Sequence, residues 1–559
     1  MFLSFLRFPI QKLLLFFRPL VSKSSPVICF TVLSIFIFPE IIFTQTIYET
    51  DNLQIYTFLN RLDQKQLINI NEEVTPYSKK FITEKLVELK AKGELLNNLE
   101  QKELSWYLKK YSLERNLNGH ILAEWNYIEK EFRTRIFPIA GYGISAVGGK
   151  IGFTKKVGLH FDAYYSNHFG VSFEYLDTGE FGDNVDKRKF NSPRTGHFIK
   201  GAPDGIEFSD VRGQLNYNWS WGSFSLKKDY NQWGHGKFGR LILSHKAASY
   251  PQIELRLHPV KWIDFYYMHG WLNSLVIDSS KSFYYGSSNI QPRLFQEYKS
   301  KYIVANLLSI HPNNRLNFSV GNSFVYSGDL RPEMFLPFMY YKVMDHNTGR
   351  GDIGDGNGMI YFDAAVKYPD KFKFYSTLLI DVLDIRDLLS GKAYTSWLGY
   401  TIGASAVDLV LNNFDLTIEY TKTNPWLYEN KYDITNYKHL NYSLGHWIGQ
   451  NADLLSMELE YSLMRGLHFT LLGQIFRKGG LKDIYIAYHN PPDLPFLFSP
   501  KRIEKSFTFR FYYEPYYNLY LQGEYRYSDI TDEESGRTQN FLLGRKNSFF
   551  LALSYGIPY

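Results

Sequence analysis

The chain ends on a stretch, residues 549–559, that leaves few folds open to it. Counting back from Tyr559, every second position is large and apolar: Ile557, Tyr555, Leu553, Leu551, Phe549. The positions between are small or weakly polar (Pro558, Gly556, Ser554, Ala552). Strict period-two alternation builds a strand with one apolar face and one tolerant face. A strand that closes an outer-membrane β-barrel needs those two faces, one toward lipid and one toward the lumen. Tyr555, Ile557 and Tyr559 then form the C-terminal signal that a barrel-assembly machinery would engage. The competing reading is an ordinary amphipathic strand that ends a soluble domain.

Composition points to the barrel. The chain has 559 residues, 45% hydrophobic and 18% aromatic, yet its mean hydropathy is −0.28. Its 44 Tyr, 44 Phe and 10 Trp exceed what a soluble core of this size uses, and aromatic girdles at two membrane interfaces would absorb them. The single cysteine, Cys29, falls in a stretch expected to be cleaved, so the mature chain has no disulfide, thiol catalysis or thiolate metal site. A net charge of +6 with no concentrated basic patch argues against nucleic acid as a partner.

The N-terminus predicts the compartment. Arg7, Lys12, Arg18 and Lys23 precede an apolar run from Val27 to Phe38, the layout of a secretory signal peptide, assigned to residues 1–45. Pro39-Glu40 ends the run well short of the roughly 20 residues that a spanning helix needs. Residues 50–132 change pattern. Ile55-Tyr56, Phe58-Leu59 and Leu62 recur at three-to-four spacing, as do Phe81-Ile82, Leu86-Val87 and Leu89, then Leu104, Tyr107-Leu108 and Tyr111. They predict three or four short amphipathic helices, one capped by Ser78, in a small periplasmic module that is structural or partner-binding.

From residue 137 to 559 the chain reads as β. Alternating segments recur, among them Val211 to Trp219, Ile253 to Leu257, Leu316 to Val320, Phe414 to Tyr420, Leu455 to Tyr461 and Phe507 to Tyr513. Tight turns such as Pro312-Asn313-Asn314 and Pro369-Asp370-Lys371 interleave with long polar loops, for example Asp183 to Asp210 and Asn424 to Asn451. Short turns on one side and long loops on the other are the plan of a transmembrane barrel. The length suggests about 16 to 20 antiparallel strands, with 18 favoured because the number should be even. The positions between the apolar ones carry Glu254-Arg256-His258, Thr417-Glu419-Thr421 and Gln522-Glu524-Arg526. They point charges of both signs inward, without the single-sign rings of an ion-selective pore.

Motifs for other chemistries fall away. Gly234 to Gly239 matches G-x-G-x-x-G, but Leu241-Ile242-Leu243 reads as a strand where a dinucleotide site needs a helix. Its glycines are expected to turn the chain tightly beside Trp233. The run 352–358 has the flavour of a calcium loop but misses the EF-hand register, so it reads as a surface loop. HExxH, GxSxG and Walker patterns are absent and the 14 His are scattered. No catalytic, cofactor or metal residue is assigned.

One family is similar in the order of its motifs. The run Lys228 to Ile253, with its Trp233-Gly234-His235-Gly236 turn, Leu241-Ile242-Leu243-Ser244 and Pro251-Gln252-Ile253, resembles the capsule-assembly (Wzi) outer-membrane family. So do Lys301 to Leu308, Leu316 to Tyr326 and Met334-Phe335-Leu336-Pro337-Phe338, and Leu59-Asn60-Arg61-Leu62 with Pro76-Tyr77-Ser78 in the helical part. The resemblance implies an 18-stranded barrel behind a periplasmic helical bundle, binding exported polysaccharide without cleaving it. The chain departs from the family at two lumen positions, with Asn306-Leu307 where His-Arg is common and Asn322 where a Glu is.

A sugar ligand calls for aromatic faces beside carboxylates and amides. Candidates are Trp221, Asp229, Tyr230, Asn231, Trp233, Trp426, Tyr428 and Trp447, with Tyr284, Tyr285 and Asp433 as further loop residues. The expected partners are outer-membrane lipid, surface polysaccharide, the barrel-assembly machinery and a periplasmic partner of the helical module. Two other readings stay open: a porin or specific transporter, and a scaffold of a surface organelle such as gliding or adhesion machinery. An open lumen would favour transport, and one occluded by side chains and inward loops a binding platform.

Overall fold

Wherever period-two alternation runs from Phe132 onward, the computed structural model places a strand, and the strands close on themselves. The structure describes residues 47–113, 123–166, 168–196, 200–202, 204–286, 293–343, 356–386, 396–481, 484 and 494–559; the expected leader and most of the run 352–358 lie outside them. Eighteen antiparallel strands form the wall. They are β1 (Phe132–Val147), β2 (Lys150–Tyr165), β3 (Phe169–Gly182), β4 (Gly205–Trp219), β5 (Gly222–Asp229) and β6 (Tyr250–Val260). There follow β7 (Ile263–Ile277), β8 (Tyr298–Asn313), β9 (Leu316–Ser327), β10 (Asn357–Val366), β11 (Phe372–Val382) and β12 (Trp397–Ala406). The last are β13 (Phe414–Thr423), β14 (Ala452–Met464), β15 (Leu467–Lys478), β16 (Arg502–Tyr516), β17 (Leu519–Asp532) and β18 (Gly544–Tyr555).

β18 closes the ring on β1, with Leu551 opposite Ile144 and Leu553 opposite Tyr142. These four side chains point outward and are exposed, as are Phe169, Val171, Phe173 and Tyr175 along β3. A continuous apolar exterior on a protein with a polar inner face is the surface that lipid covers. The alternation at the C-terminus overstates the strand by four residues. β18 stops at Tyr555, because Gly556 takes φ +94° and donates its N–H to the Asn518 carbonyl. Ile557 turns in to pack on Phe137 and Ile139, and the Tyr559 ring lies 4.2 Å from the Lys156 ammonium, against the inner wall rather than toward lipid.

Connections alternate around the ring. Tight turns join β2 to β3, β4 to β5, β6 to β7, β8 to β9, β14 to β15 and β16 to β17; long loops cover 183–204, 230–249, 278–297, 328–356, 424–451 and 479–501 at the other end. The helices gather at the short-turn end. They are α1 (Leu53–Gln64), α2 (Lys79–Ala91) and α3 (Asn98–Lys110). Ser78 caps α2 through the Phe81 N–H, and Asn97 with Glu100 forms a capping box on α3. Ile55, Leu59, Leu62, Ile82, Leu86, Leu104 and Tyr107 pack into one small core among the three.

Buried charge joins this module to the turns. The Arg61 guanidinium reaches Glu100 at 2.6 Å, Asp415 at 3.1 Å and Asp408, and Lys65 lies 3.0 Å from Asp408. Lys110 meets Glu514 at 2.7 Å, Lys367 meets Asp63 at 2.5 Å, and the Gly466 N–H donates to Glu103 at 2.7 Å.

Candidate functional site

The lumen is filled from both ends. From the short-turn end, residues 71–77 enter between the strands. Asn71 donates to Asp264 and Ser309, the Ser319 hydroxyl donates to Glu73, and Val74–Thr75 pairs as a short strand with Gln232–Trp233. Just before α1, Tyr48 accepts a bond from Gln214 on its side of the wall through its own N–H donation, and its ring lies 4.1 Å from the Arg256 guanidinium.

From the other end, loop 230–249 descends to meet this segment. The Gly234 N–H donates to the Glu73 carbonyl at 2.9 Å, at φ +102°, a conformation glycine adopts without strain. Deeper contacts tie the loop to the wall: His235 to Asp363, and the N–H groups of Lys237 and Phe238 to Glu419. Loop 424–451 folds down on top. Tyr428 and Tyr437 donate their hydroxyls to the carbonyls of Leu241 and Ile242, each at 2.8 Å. A single apolar core results inside the barrel, from Val74, Trp233, Leu241, Ile242 and Leu243 through Tyr428, Tyr437 and Leu444 to inward residues of β7–β11 such as Met268, Ala305 and Tyr361.

The stretch Leu241-Ile242-Leu243 is therefore core without being a strand; it makes one isolated bridge, Trp233 to Leu243. Its apolar run reflects burial on every side, which periodicity alone does not separate from a buried strand. The glycine pattern turns the chain as expected: a Cβ on Gly239 would lie 2.3 Å from the His446 imidazole.

The structure places the sugar candidates in two groups. Asp229, Tyr230, Asn231 and Trp233 form the root of loop 230–249. Asp229 accepts from Gln214 at 2.9 Å, Tyr230 donates to Asp210 at 2.9 Å, Asn231 bridges Lys227 and Gln252, and Trp233 is fully buried. Trp426, Tyr428 and Trp447 belong to loop 424–451: Trp426 sits by Trp397, and the Trp447 indole N–H donates to the Phe238 carbonyl at 2.7 Å. Loop contacts bring the two groups together as plug. Trp221 stands apart, in the β4–β5 turn edge-on to Trp219 at the short-turn rim, a girdle position. Asp433 starts a short helical turn within loop 424–451.

Tyr284 and Tyr285 have a different setting. Phe283–Tyr285 pairs with Arg293–Phe295 as a hairpin within the 278–297 connection at the long-loop end, and all six residues are exposed, Tyr284 at 70% and Tyr285 at 51%.

Asp51, His160 and Glu174 lie with ligand atoms within 4.8 Å of one another, the geometry of a metal trio. The Arg212 guanidinium occupies the position of the cation, 2.6 Å from Asp51 and paired with Glu174. Such a built-in positive charge satisfies the two carboxylates as an ion would.

Elsewhere inward charges keep contact with water on the β14–β17 side. Lys237–Glu460 and Arg510–Glu524 pair at 2.9 and 2.6 Å with part-exposed side chains. The two family positions expected in the lumen lie on the opposite face. Asn306 and Asn322 are register partners whose side chains point outward, because the inward positions of those strands are Ala305, Leu307, Gly321 and Ser323.

A family model described as capsule assembly protein Wzi matches residues 147–541. No curated protein matches. Among solved structures, Wzi of Escherichia coli, described as an outer-membrane protein involved in group 1 capsule assembly and a carbohydrate-binding β-barrel, aligns with a TM-score of 0.59. The identity is 13%, over 92% of this chain and 100% of that one, and the likeness shows the fold. OccAB1 of Acinetobacter baumannii aligns at TM-score 0.42 and 9% identity over 76% of this chain and 96% of its own. OprD of Pseudomonas aeruginosa aligns at TM-score 0.40 and 10% identity over 76% and 94%.

Proposed function

The chain belongs to the capsule assembly protein Wzi family, and from that membership we propose that it is a non-enzymatic outer-membrane barrel that binds exported polysaccharide at the cell surface. The observation that carries the reading is the filled lumen. Residues 71–77, loop 230–249 and loop 424–451 form a continuous apolar core where a transporter keeps its path. In this reading a leader over residues 1–45 directs export, the barrel-assembly machinery inserts the chain, and the short turns with α1–α3 face the periplasm, where the helices meet a partner. The long loops face outward and hold the polymer.

The aromatic surface at that end is the 283–295 hairpin. Tyr284 and Tyr285 offer open ring faces beside Arg293, the chemistry that packs on sugar rings while holding an acidic or hydroxylated substituent. The buried candidates support this surface from below: Trp233, Tyr428 and Trp447 hold the plug on which the loops rest.

Two measurements test the proposal together. Binding of the producing strain's exported polysaccharide to the folded protein in detergent is expected, and Tyr284→Ala with Tyr285→Ala weakens it by about 1–2 kcal/mol per ring, from the apolar area each loses. Conductance in planar bilayers is expected to show no steady open steps. Wild-type binding too weak to detect, or steady steps, sinks the reading.

A further inference from the structure

Three strands abandon the alternation that the rest of the wall keeps. β7, β8 and β9 are buried on both faces through most of their length. Their inner residues meet the plug. Their outer ones, among them Phe265, Tyr267, Val304, Phe324 and Tyr326, are covered by Met334 and Tyr341 from the connection between β9 and β10. This connection does not stand above the rim; it runs down the outside of the barrel and back.

Arg331 lies 5.6 Å over the Tyr326 ring near the long-loop end. Next, the Tyr267 hydroxyl donates to the Met334 carbonyl at 2.8 Å, and Phe335 stacks on His269. At the lowest point Phe338 stacks on Phe265, centroids 4.2 Å apart, two residues from the short-turn end of β7. The return passes Met339 and Tyr341 to Lys342, whose ammonium donates to the Asp381 carbonyl at 2.8 Å.

Irregular backbone at membrane depth survives only where protein satisfies it. Here the wall carries amides for that task, on a face where lipid would exclude them. Asn306 donates to the carbonyls of Pro337 and Met339 at 2.9 and 2.7 Å. Asn322 donates to the Met339 carbonyl at 3.1 Å and accepts the Tyr341 N–H at 2.9 Å. The Tyr341 hydroxyl donates to the Leu336 carbonyl at 2.9 Å, and Pro332 and Pro337 have no N–H to satisfy. The side chains turned away from the wall are apolar: Leu336, Phe338 and Tyr340 are 57%, 72% and 44% exposed. They continue the lipid-facing surface of Leu316, Phe318 and Phe362 on the neighbouring strands.

We propose that residues 331–343 are a membrane-embedded strap, clamped by Asn306 and Asn322, that takes the place of lipid over β7–β9 and presents Leu336, Phe338 and Tyr340 to acyl chains. The strap stands on the membrane placement of the barrel and is independent of the polysaccharide ligand.

Spin labels test it cleanly, since Cys29 is the chain's one cysteine and lies in the expected leader. The full protein in lipid vesicles carries Phe338→Cys or Leu336→Cys, with Leu551→Cys on β18 as the lipid-facing standard and Tyr284→Cys as the aqueous one. Both strap labels are expected to collide with oxygen in preference to a water-soluble nickel chelate, as at Leu551→Cys. A nickel preference like that of Tyr284→Cys overturns the proposal, and exclusion of both reagents overturns it in favour of a protein partner such as a second copy. A failed membrane placement shows separately, as nickel access at Leu551→Cys. Adding Asn306→Leu and Asn322→Leu to Leu336→Cys is expected to free the label and admit nickel while the barrel keeps its heat-modifiable mobility; an unchanged spectrum removes the clamp.

Discussion

At the scale of single residues, the seam between module and barrel holds one carboxyl whose charge state sets the grip. Glu103 on α3 is buried against the β14–β15 turn, and burial pushes its pKa up to about 7. In the unfolded chain it ionises near 4.5. The folded state therefore binds the extra proton, so its contribution is fullest below 4.5 and is lost as pH rises through 7. The loss amounts to about 3 kcal/mol at alkaline pH. Hydrogen exchange in α3, corrected for intrinsic rates, is expected to be faster at pH 8 than at pH 5, and Glu103→Gln should flatten the difference. An unchanged pH dependence in that variant would remove Glu103 as the cause. Arg61 works at the same seam with the opposite logic. Arg61→Ala leaves Glu100, Asp408 and Asp415 buried with Lys65 as their remaining cation, a loss of about 3–5 kcal/mol. Limited proteolysis should then cut the module from an intact barrel.

At the scale of elements, what could be read beforehand depends on how many faces are buried. β3, β16 and β18 pack one face and expose the other, so Phe169 to Tyr175 and Phe507 to Phe511 announce themselves by alternation. β7 to β9 are packed on both faces, and their sequence runs apolar through Tyr266, Tyr267 and Met268 without a period. The helices were legible from their three-to-four spacing and from Ser78. The site was legible only in part. An aromatic or carboxylate in a loop reads alike whether the loop stands out, as at Tyr284, or folds in, as at Trp233, because long-range packing decides between them. Burial gives Trp233 a measurable weight. Trp233→Ala opens a cavity at the junction of residues 71–77 with loop 230–249, at about 3–5 kcal/mol. The expected outcome is protease-sensitive loops 230–249 and 424–451 inside a barrel that still shows heat-modifiable mobility.

At the scale of the whole molecule, the plug is made of two independent closures, and they predict different leaks. The helices with residues 71–77 close the short-turn end through ion pairs such as Lys110–Glu514 and Lys367–Asp63. Loops 230–249 and 424–451 close the other end through apolar packing and the tyrosine bonds to Leu241 and Ile242. Replacing 231–248 by a short glycine-serine turn deletes Trp233, Leu241 and Leu243, so loop 424–451 loses its seat and the inward charges of β14–β17 gain a water-filled path. The module stays, held by its pairs to the turns. Such a variant is expected to conduct in flickering steps that grow when Arg61→Ala is added, because the second change loosens the remaining closure. If instead the loop replacement alone gives the full conductance of an open 18-stranded barrel, the module does not seal the lumen, and the short-turn end must already let water through.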